Sequence, residues 1–215
     1  MAIYRPDSNG TSNDVQRFNP SDFYGVQKVS LVKFEDKSDK FDWCDIMIEF
    51  HVQSPIAKYP SSGSLIVTFD KDSDGKLIHG SEKNGRALKK FYTFIDTIGC
   101  TLGVDVYGNW INSNGDRVED IAEYLNQNHT TEDLNDQDYF AYIYKTAPKQ
   151  VGGKSFTKVH HKMYKSRAGN DKKLQDDVNW LKNNGYLKEA KPEDFSAPKG
   201  NDDVSDLPFD KIGNL

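Results

Sequence analysis

The chain has 215 residues, of which 36% are hydrophobic and 28% are charged, and its net charge is −5. This length allows one large domain, or one domain with appendages, and the acidic balance excludes a generally basic nucleic-acid-binding protein. Cys44 and Cys100 are the only cysteines and form neither a disulfide framework nor a metal-binding spacing, which is typical of a reducing compartment. No apolar run has the length of a membrane span or the pattern of a signal peptide, so we expect a soluble, cytoplasmic protein.

The N-terminal third of the chain predicts an arm followed by three strands. Residues 1–24 are rich in Ser, Asn, Asp and Pro and predict an irregular N-terminal arm. Residues 26–34, 43–52 and 64–69 alternate apolar and polar side chains, as half-buried strands do. Because polar turn sequences separate them, we expect an antiparallel meander at the start of a domain covering residues 25–190.

The sequence DKDSDGK at 70–76 matches only the first half of a calcium-binding loop. Ser81 stands where such a loop has its bidentate glutamate, and no helical pattern precedes Asp70. We therefore interpret the sequence as a hairpin turn and predict no metal site.

Three helices are predicted. The first covers Leu88 to Ile98, with Ser81 or Asn84 as its N-cap and Gly99 as its end. Four cations lie in its first turns, where the helix dipole disfavours positive charge: Lys83, Arg86, Lys89 and Lys90. The simplest interpretation is that they are exposed to solvent, and a contact with phosphate is the alternative. A short helix is predicted within 116–127. A third helix, within 170–187, is predicted to brace the sheet from outside, capped by Asn170 or Asp171 and ended by Gly185.

The stretch from Tyr139 to Arg167 contains no acidic residue although acids outnumber bases in the chain. Its two halves, 139–145 and 155–164, have the aromatic and alternating character of strands, and Pro148 and the Gly152–Gly153 pair mark a turn between them. We therefore predict a β-hairpin with a long loop.

This hairpin alternates aromatic rings with cations, which suits a flexible polyanion with exposed bases. Rings stack on bases of any sequence, and cations follow the phosphates. We predict that the following residues bind DNA: Tyr142, Tyr144, Lys145, Lys154, Phe156, Lys158, His160, Lys162 and Tyr164. The alternative is an ordinary sheet edge, in which the rings pack on the core and the lysines keep the edge soluble.

The C-terminal segment 191–215 is predicted to be a disordered acidic tail. Residues 189–215 contain seven acids and three lysines, a net charge of −4, which leaves about −1 for the rest of the chain. Apolar residues follow acids in the sequence DDVSDLPF, a pattern that suits a short docking motif. We expect partner docking by Asp203, Asp206, Leu207, Pro208 and Phe209.

This tail resembles that of bacterial and bacteriophage single-stranded DNA-binding proteins, and a phage-type member is the better match. The resemblance rests on about eight tail residues and on a general architecture. It implies an OB-like, five-stranded antiparallel barrel with inserted and C-terminal helices, of the α+β class but mainly β. It also implies that the tail recruits replication or recombination proteins. The motif departs from the bacterial pattern because DKIGNL follows Phe209 instead of the chain ending there.

The sequence therefore favours sequence-independent binding and protection of single-stranded DNA in replication, recombination or repair, with no enzymatic activity and no cofactor. One alternative is a structural or adaptor protein, such as a virion component. A nuclease is the other, and the sequence argues against it. His160 and His161 are adjacent, so on a strand they point to opposite faces and do not bind a metal ion together. No phosphate-cradling glycine loop or nucleophile motif is present.

Overall fold

The structure, a computed structural model, describes residues 24–149 and 154–190. The strands in this part of the chain are β1 (Gly25–Asp36), β2 (Ile46–Gln53), β3 (Ser61–Val67), β4 (Gly103–Val104), β5 (Trp110–Ile111), β6 (Tyr139–Lys145), β7 (Thr157–Val159) and β8 (Tyr164–Lys165). The α-helices are α1 (Glu82–Ile98), α2 (Ile121–His129) and α3 (Asn170–Asn183). The predicted arm, apart from Tyr24, and the predicted tail lie outside the described residues.

Five strands close into a barrel in the order β1-β2-β3-β7-β6, with β6 pairing back onto β1. The meander of β1, β2 and β3 is antiparallel, as predicted. The two-residue β8 extends the sheet from β6. A closed five-stranded barrel with three helices confirms the predicted α+β class and is consistent with an OB-like fold.

The prediction that every pairing is antiparallel is wrong, because β3 and β7 run parallel. The reason is parity. Strands that alternate in direction around a closed ring must be even in number, so a ring of five contains at least one parallel pair. Here the meander and the β6–β7 hairpin are both antiparallel, and the parallel pair falls between them, where Gly63 faces Val159.

The barrel interior follows the alternation of the strands. In β2 the buried apolar residues are Ile46, Ile48, Phe50 and Val52, and in β3 and just beyond it they are Leu65, Val67 and Phe69, which follows the alternation predicted for these strands. In β1 the pairing register with β2 shifts between Leu31 and Lys33. This irregularity places both Leu31 and Phe34 in the core, although their spacing of three does not fit a regular strand.

Helix α1 attaches to the barrel by its aromatic stripe. Ser81 caps it, accepting a hydrogen bond from the backbone N–H of Asn84, and Gly99 ends it with φ of 75°, both as predicted. The ring of Phe94 lies 5.1 Å from that of Phe50 and 6.5 Å from that of Phe34. The helix therefore packs directly on barrel-interior rings, and its opposite face carries the cations.

Residues 70–118 contain three turns of the same construction. In each turn a side-chain oxygen accepts hydrogen bonds from the backbone N–H groups two and four residues later, and a glycine follows with positive φ. The acceptors are Asp72, Asp105 and Asn112, and the glycines are Gly75, Gly108 and Gly115. The Asp72 carboxylate therefore accepts hydrogen bonds from the backbone of its own turn, which agrees with the predicted hairpin turn.

Helix α3 packs on the outside of the barrel, as predicted. Its buried stripe of Leu174 and Val178 forms a second apolar cluster with Tyr142 and Leu187, separate from the barrel core. The predicted cap is wrong, because Gly169 precedes the helix and makes no side-chain hydrogen bond, while Asn170 donates to the Lys165 carbonyl. The residues after α3 return along the hairpin, where Glu189 pairs with Thr146.

Candidate nucleic-acid interface

The predicted hairpin is present, but its second strand is shorter than predicted. Strands β6 and β7 pair antiparallel from Ile143–Val159 to Lys145–Thr157. Beyond Val159 the chain leaves the strand. The backbone N–H of Lys162 donates to Nδ1 of His160 at 3.1 Å, and Met163 turns into the core. The predicted strand over 155–164 is therefore broken at residues 160–163, so its alternation of faces does not extend to His160, Lys162 and Tyr164.

Three of the predicted DNA-binding rings lie beneath α3. Tyr142 is only 5% exposed, and Tyr144 and Tyr164 are half-buried in the same cluster. The hydroxyl of Tyr142 donates to Glu189 at 2.5 Å, and that of Tyr164 donates to Asp177 at 2.6 Å. The predicted DNA-binding role requires these rings to be open to solvent, and they are not, because α3 and the segment after it cover their face of the hairpin.

Four other predicted residues lie at the outer edge of the hairpin. Phe156 is 58% exposed, and Lys145, Lys154 and Lys158 are also exposed. Lys145 lies 6.0 Å from the centre of the Tyr24 ring. This end of the hairpin keeps cations and one ring open to solvent.

The last two predicted residues, His160 and Lys162, line a groove between α1 and α3. The groove encloses about 600 Å³, and no carboxylate is among the described residues that line it. Its lining is Arg86, Lys89, Lys90, Thr93 and Phe94 from α1, His160, His161 and Lys162 from the broken strand, and Trp180, Leu181 and Tyr186 from α3 and its end. Below, this surface is called the α1–α3 groove.

Trp180 and Tyr186 form a stacked aromatic pair on the α3 side of the groove. Their ring centres are 5.6 Å apart with an angle of 19° between planes, and the side chains are 59% and 73% exposed. The helix end produces this pair. Gly185, with φ of 72°, reverses the chain so that the backbone N–H of Tyr186 donates to the Leu181 carbonyl. A flat, exposed aromatic surface of this kind is suited to stack on a base.

The α1 side of the groove carries the cations. Arg86 and Lys89 are exposed, whereas Lys90 is half-buried and donates to the Ile66 carbonyl at 2.8 Å. Burial lowers the pKa of Lys90. Lys162 on the opposite wall is paired with Asp177 at 2.7 Å.

The two histidines lie together in the groove, with ring centres 4.4 Å apart. They do not point to opposite faces as predicted, because the chain has left the strand at this point. Burial, followed by the charges of Lys90 and Lys162, lowers the pKa of His160 to about 4. Burial, His160 and the same two lysines lower the pKa of His161 further. Both rings are therefore neutral at pH 7.

Sequence reasoning missed the aromatic pair and undervalued the α1 cations. With Leu174, Val178 and Leu181 as the buried stripe of α3, Trp180 falls on the outward side of the helix. A tryptophan in such a position is a signal that was available in the sequence. Among the α1 cations, Lys83 is paired with Asp70 at 2.8 Å, and the other three line the groove.

One cluster on the outer face of the barrel contains residues of the types that bind metal ions. Ligand atoms of Glu35, Glu49 and His51 lie within 4.8 Å of one another. The Lys37 ammonium lies 2.7 Å from Glu49 and 3.3 Å from Glu35, and Lys33 lies 2.8 Å from Glu35. The hydrogen bond from Lys33, together with Lys37, lowers the pKa of Glu35 to about 2. These lysines already neutralise the two carboxylates, so a metal ion would have to displace Lys37.

None of the helices in the described residues is both long and apolar enough to cross a membrane. Comparison with known proteins gives no family for this chain: no protein-family model, no curated protein and no solved structure matches it.

Proposed function

We propose that this protein binds single-stranded DNA without sequence preference, and that the α1–α3 groove holds the strand. The observation that carries this proposal is the composition of the groove, in which the Trp180–Tyr186 pair faces cations from α1 and no carboxylate is among the described lining residues. Aromatic platforms beside a cationic track are the general means of holding unpaired bases and their phosphates. A duplex offers no free base face to such a platform.

The described lining of the groove does not provide the ligand set of a metal-dependent nuclease. Nucleases of that class hold their metal ions with carboxylates, and no carboxylate is among the described residues that line the groove. Asp177 adjoins the groove wall through Lys162, and its carboxylate is engaged by Lys162 and by the Tyr164 hydroxyl. A protein that only coats the strand needs the rings and cations alone.

The tail residues expected to recruit partners, Asp203, Asp206, Leu207, Pro208 and Phe209, lie outside the described residues. Recruitment of replication or recombination proteins, and a phage-type origin, are part of the proposal and rest on the resemblance of the tail. The exposed hairpin edge around Phe156 and Lys158 extends the proposed contact surface only if the strand continues beyond the groove.

Fluorescence anisotropy with labelled oligo-dT tests the proposal. We expect Trp180→Ala to weaken binding by about fivefold to more than a hundredfold, since a stacked base contributes roughly 1–3 kcal/mol. If three or four groove cations contact phosphates, log Kd should rise with log salt with a slope of about 2 to 3. Duplex DNA of the same length should bind more weakly.

Trp43→Ala is the matched control, because Trp43 is 56% exposed in the loop between β1 and β2, away from the groove lining. Its affinity for oligo-dT should equal that of the parent protein. Unchanged binding in both Trp180→Ala and Tyr186→Ala would exclude the groove. If Phe156→Ala alone abolished binding, the site would lie on the hairpin edge instead.

A further inference from the structure

The inner end of the α1–α3 groove contains a cation that the protein does not neutralise. Lys90 is half-buried, and its hydrogen bond goes to the neutral carbonyl of Ile66. No ion pair of Lys90 with a carboxylate is found in the described residues, and burial is the cause of its lowered pKa. Proteins normally pair a buried charge, because removing it from water is costly. An ammonium held in this way is suited to receive an anion.

His160 and His161 lie at the same inner end of the groove and provide hydrogen-bonding groups there. Because Nδ1 of His160 accepts the backbone N–H of Lys162, the neutral ring carries its proton on Nε2. Nε2 is therefore a hydrogen-bond donor. The His161 ring lies 4.4 Å from that of His160, centre to centre, and lines the same groove.

The charges that face the histidines are positive on balance. Arg86, Lys89 and Lys90 line the groove from α1, and Lys162 adjoins the rings along the chain. From α3 the facing charge is Asp177, which Lys162 already engages. A base has no negative charge to place here, whereas a phosphate group has both the charge and the acceptor oxygens.

We propose that Lys90, His160 and His161 form a phosphate-binding subsite, and that it holds one phosphate group of the bound strand. This inference rests on the proposed function, and it adds a proton linkage to it. A phosphate beside the two imidazoles favours their charged form, so their pKa values rise when it binds. Binding therefore takes up protons as the pH approaches the pKa values of the rings, and affinity increases as the pH falls from 6 toward 4.5.

The first test measures oligo-dT binding to Lys90→Met, which removes the charge and keeps the length of the side chain. We expect a loss of about tenfold or more, as is typical of a hydrogen bond to a charged group. Lys172→Met is the matched control, because Lys172 is exposed at the start of α3 and outside the groove lining. Equal affinities of these two variants would overturn the phosphate subsite.

The second test follows the histidine ring signals of the full chain by NMR while dTMP or thymidine is added. We expect dTMP to raise the pKa of His160 and thymidine, which lacks the phosphate, to leave it unchanged. Equal effects of the two compounds would overturn the proposal. The affinity for oligo-dT should increase from pH 6 to pH 4.5 in the parent protein, and this increase should be smaller in His160→Gln.

The two proposals fail in different ways. Oligo-dT binding that depends on Trp180 but not on Lys90 or pH would overturn the phosphate subsite and leave the proposed function intact. A dTMP response at His160 in a protein that does not bind oligo-dT would support the subsite and overturn single-strand binding.

Discussion

Gly63 lies where the barrel closes, and its missing side chain makes the closure possible. It faces Val159 in the parallel pairing of β3 with β7. A Cβ atom at this position would lie 2.5 Å from the Val159 carbonyl oxygen and even closer to the Phe50 ring. Neither neighbour has room to move, because one is backbone and the other is packed in the core.

We therefore expect Gly63→Ala to lower the free energy of unfolding by about 1–3 kcal/mol, as overpacking does. Gly85→Ala is the matched control. Gly85 lies in α1 with open space where a Cβ would stand, so alanine there should raise stability by about 0.5–1 kcal/mol. Urea denaturation measures both changes, and a Gly63→Ala variant as stable as the parent would contradict this account of the barrel closure.

The groove histidines give the protein a specific sensitivity to acid. An unfolded His160 has a pKa of 6.5, whereas the folded protein lowers it to about 4, so the unfolded state binds more protons between these values. Its contribution to stability is therefore fully present above pH 6.5 and is lost as the pH falls toward 4. The loss amounts to about 3 kcal/mol at pH 4.

His160→Gln should remove this part of the acid destabilisation while Gln still offers an acceptor for the Lys162 N–H. Urea denaturation at pH 7 and at pH 4.5 separates the two effects. The variant should lose less stability over that interval than the parent does, and an equal loss would show that the ring is not buried as a neutral group. Carboxylates that titrate in this range affect both proteins alike and cancel in the comparison.

Among the elements, those determined by local sequence were the most predictable. The strict alternation of β2 predicted its buried face, and Ser81 and Gly99 predicted both ends of α1, because caps act over a few residues. The hairpin of β6 and β7 was predicted from the same kind of signal. The irregularity in β1 was not predicted, because it arises from the pairing of β1 with β2 and not from the local sequence.

The site was less predictable, because it depends on where α3 docks. A strand pattern alone does not show which face of a hairpin another element will cover. The cover over Tyr142 and Tyr164 comes from α3 and the segment after it, through Asp177 and Glu189. The same docking brings Trp180 opposite the α1 cations. The docking of α3 thus covers three of the rings that were predicted to bind DNA and also creates the groove.

At the scale of the whole molecule, charge is unevenly distributed. The groove is lined with cations, although the chain as a whole carries −5 and residues 189–215 carry −4. An acidic segment is attracted to cations as a DNA strand is, so under the proposed function the two would compete for the groove. The strength of this competition depends on salt, because the screening length falls from about 30 Å at 0.01 M to about 10 Å at 0.1 M.

We expect removal of residues 201–215 to tighten oligo-dT binding at low salt and to have little effect at high salt. A full-length variant with Asp202, Asp203, Asp206 and Asp210 changed to asparagine separates charge from chain length, and it should bind as the truncated protein does. Anisotropy titrations at 0.02 M and 0.3 M salt compare the three proteins. If the truncated protein and the parent bind equally at low salt, the tail does not compete for the groove, and its acidity then serves only its expected partners.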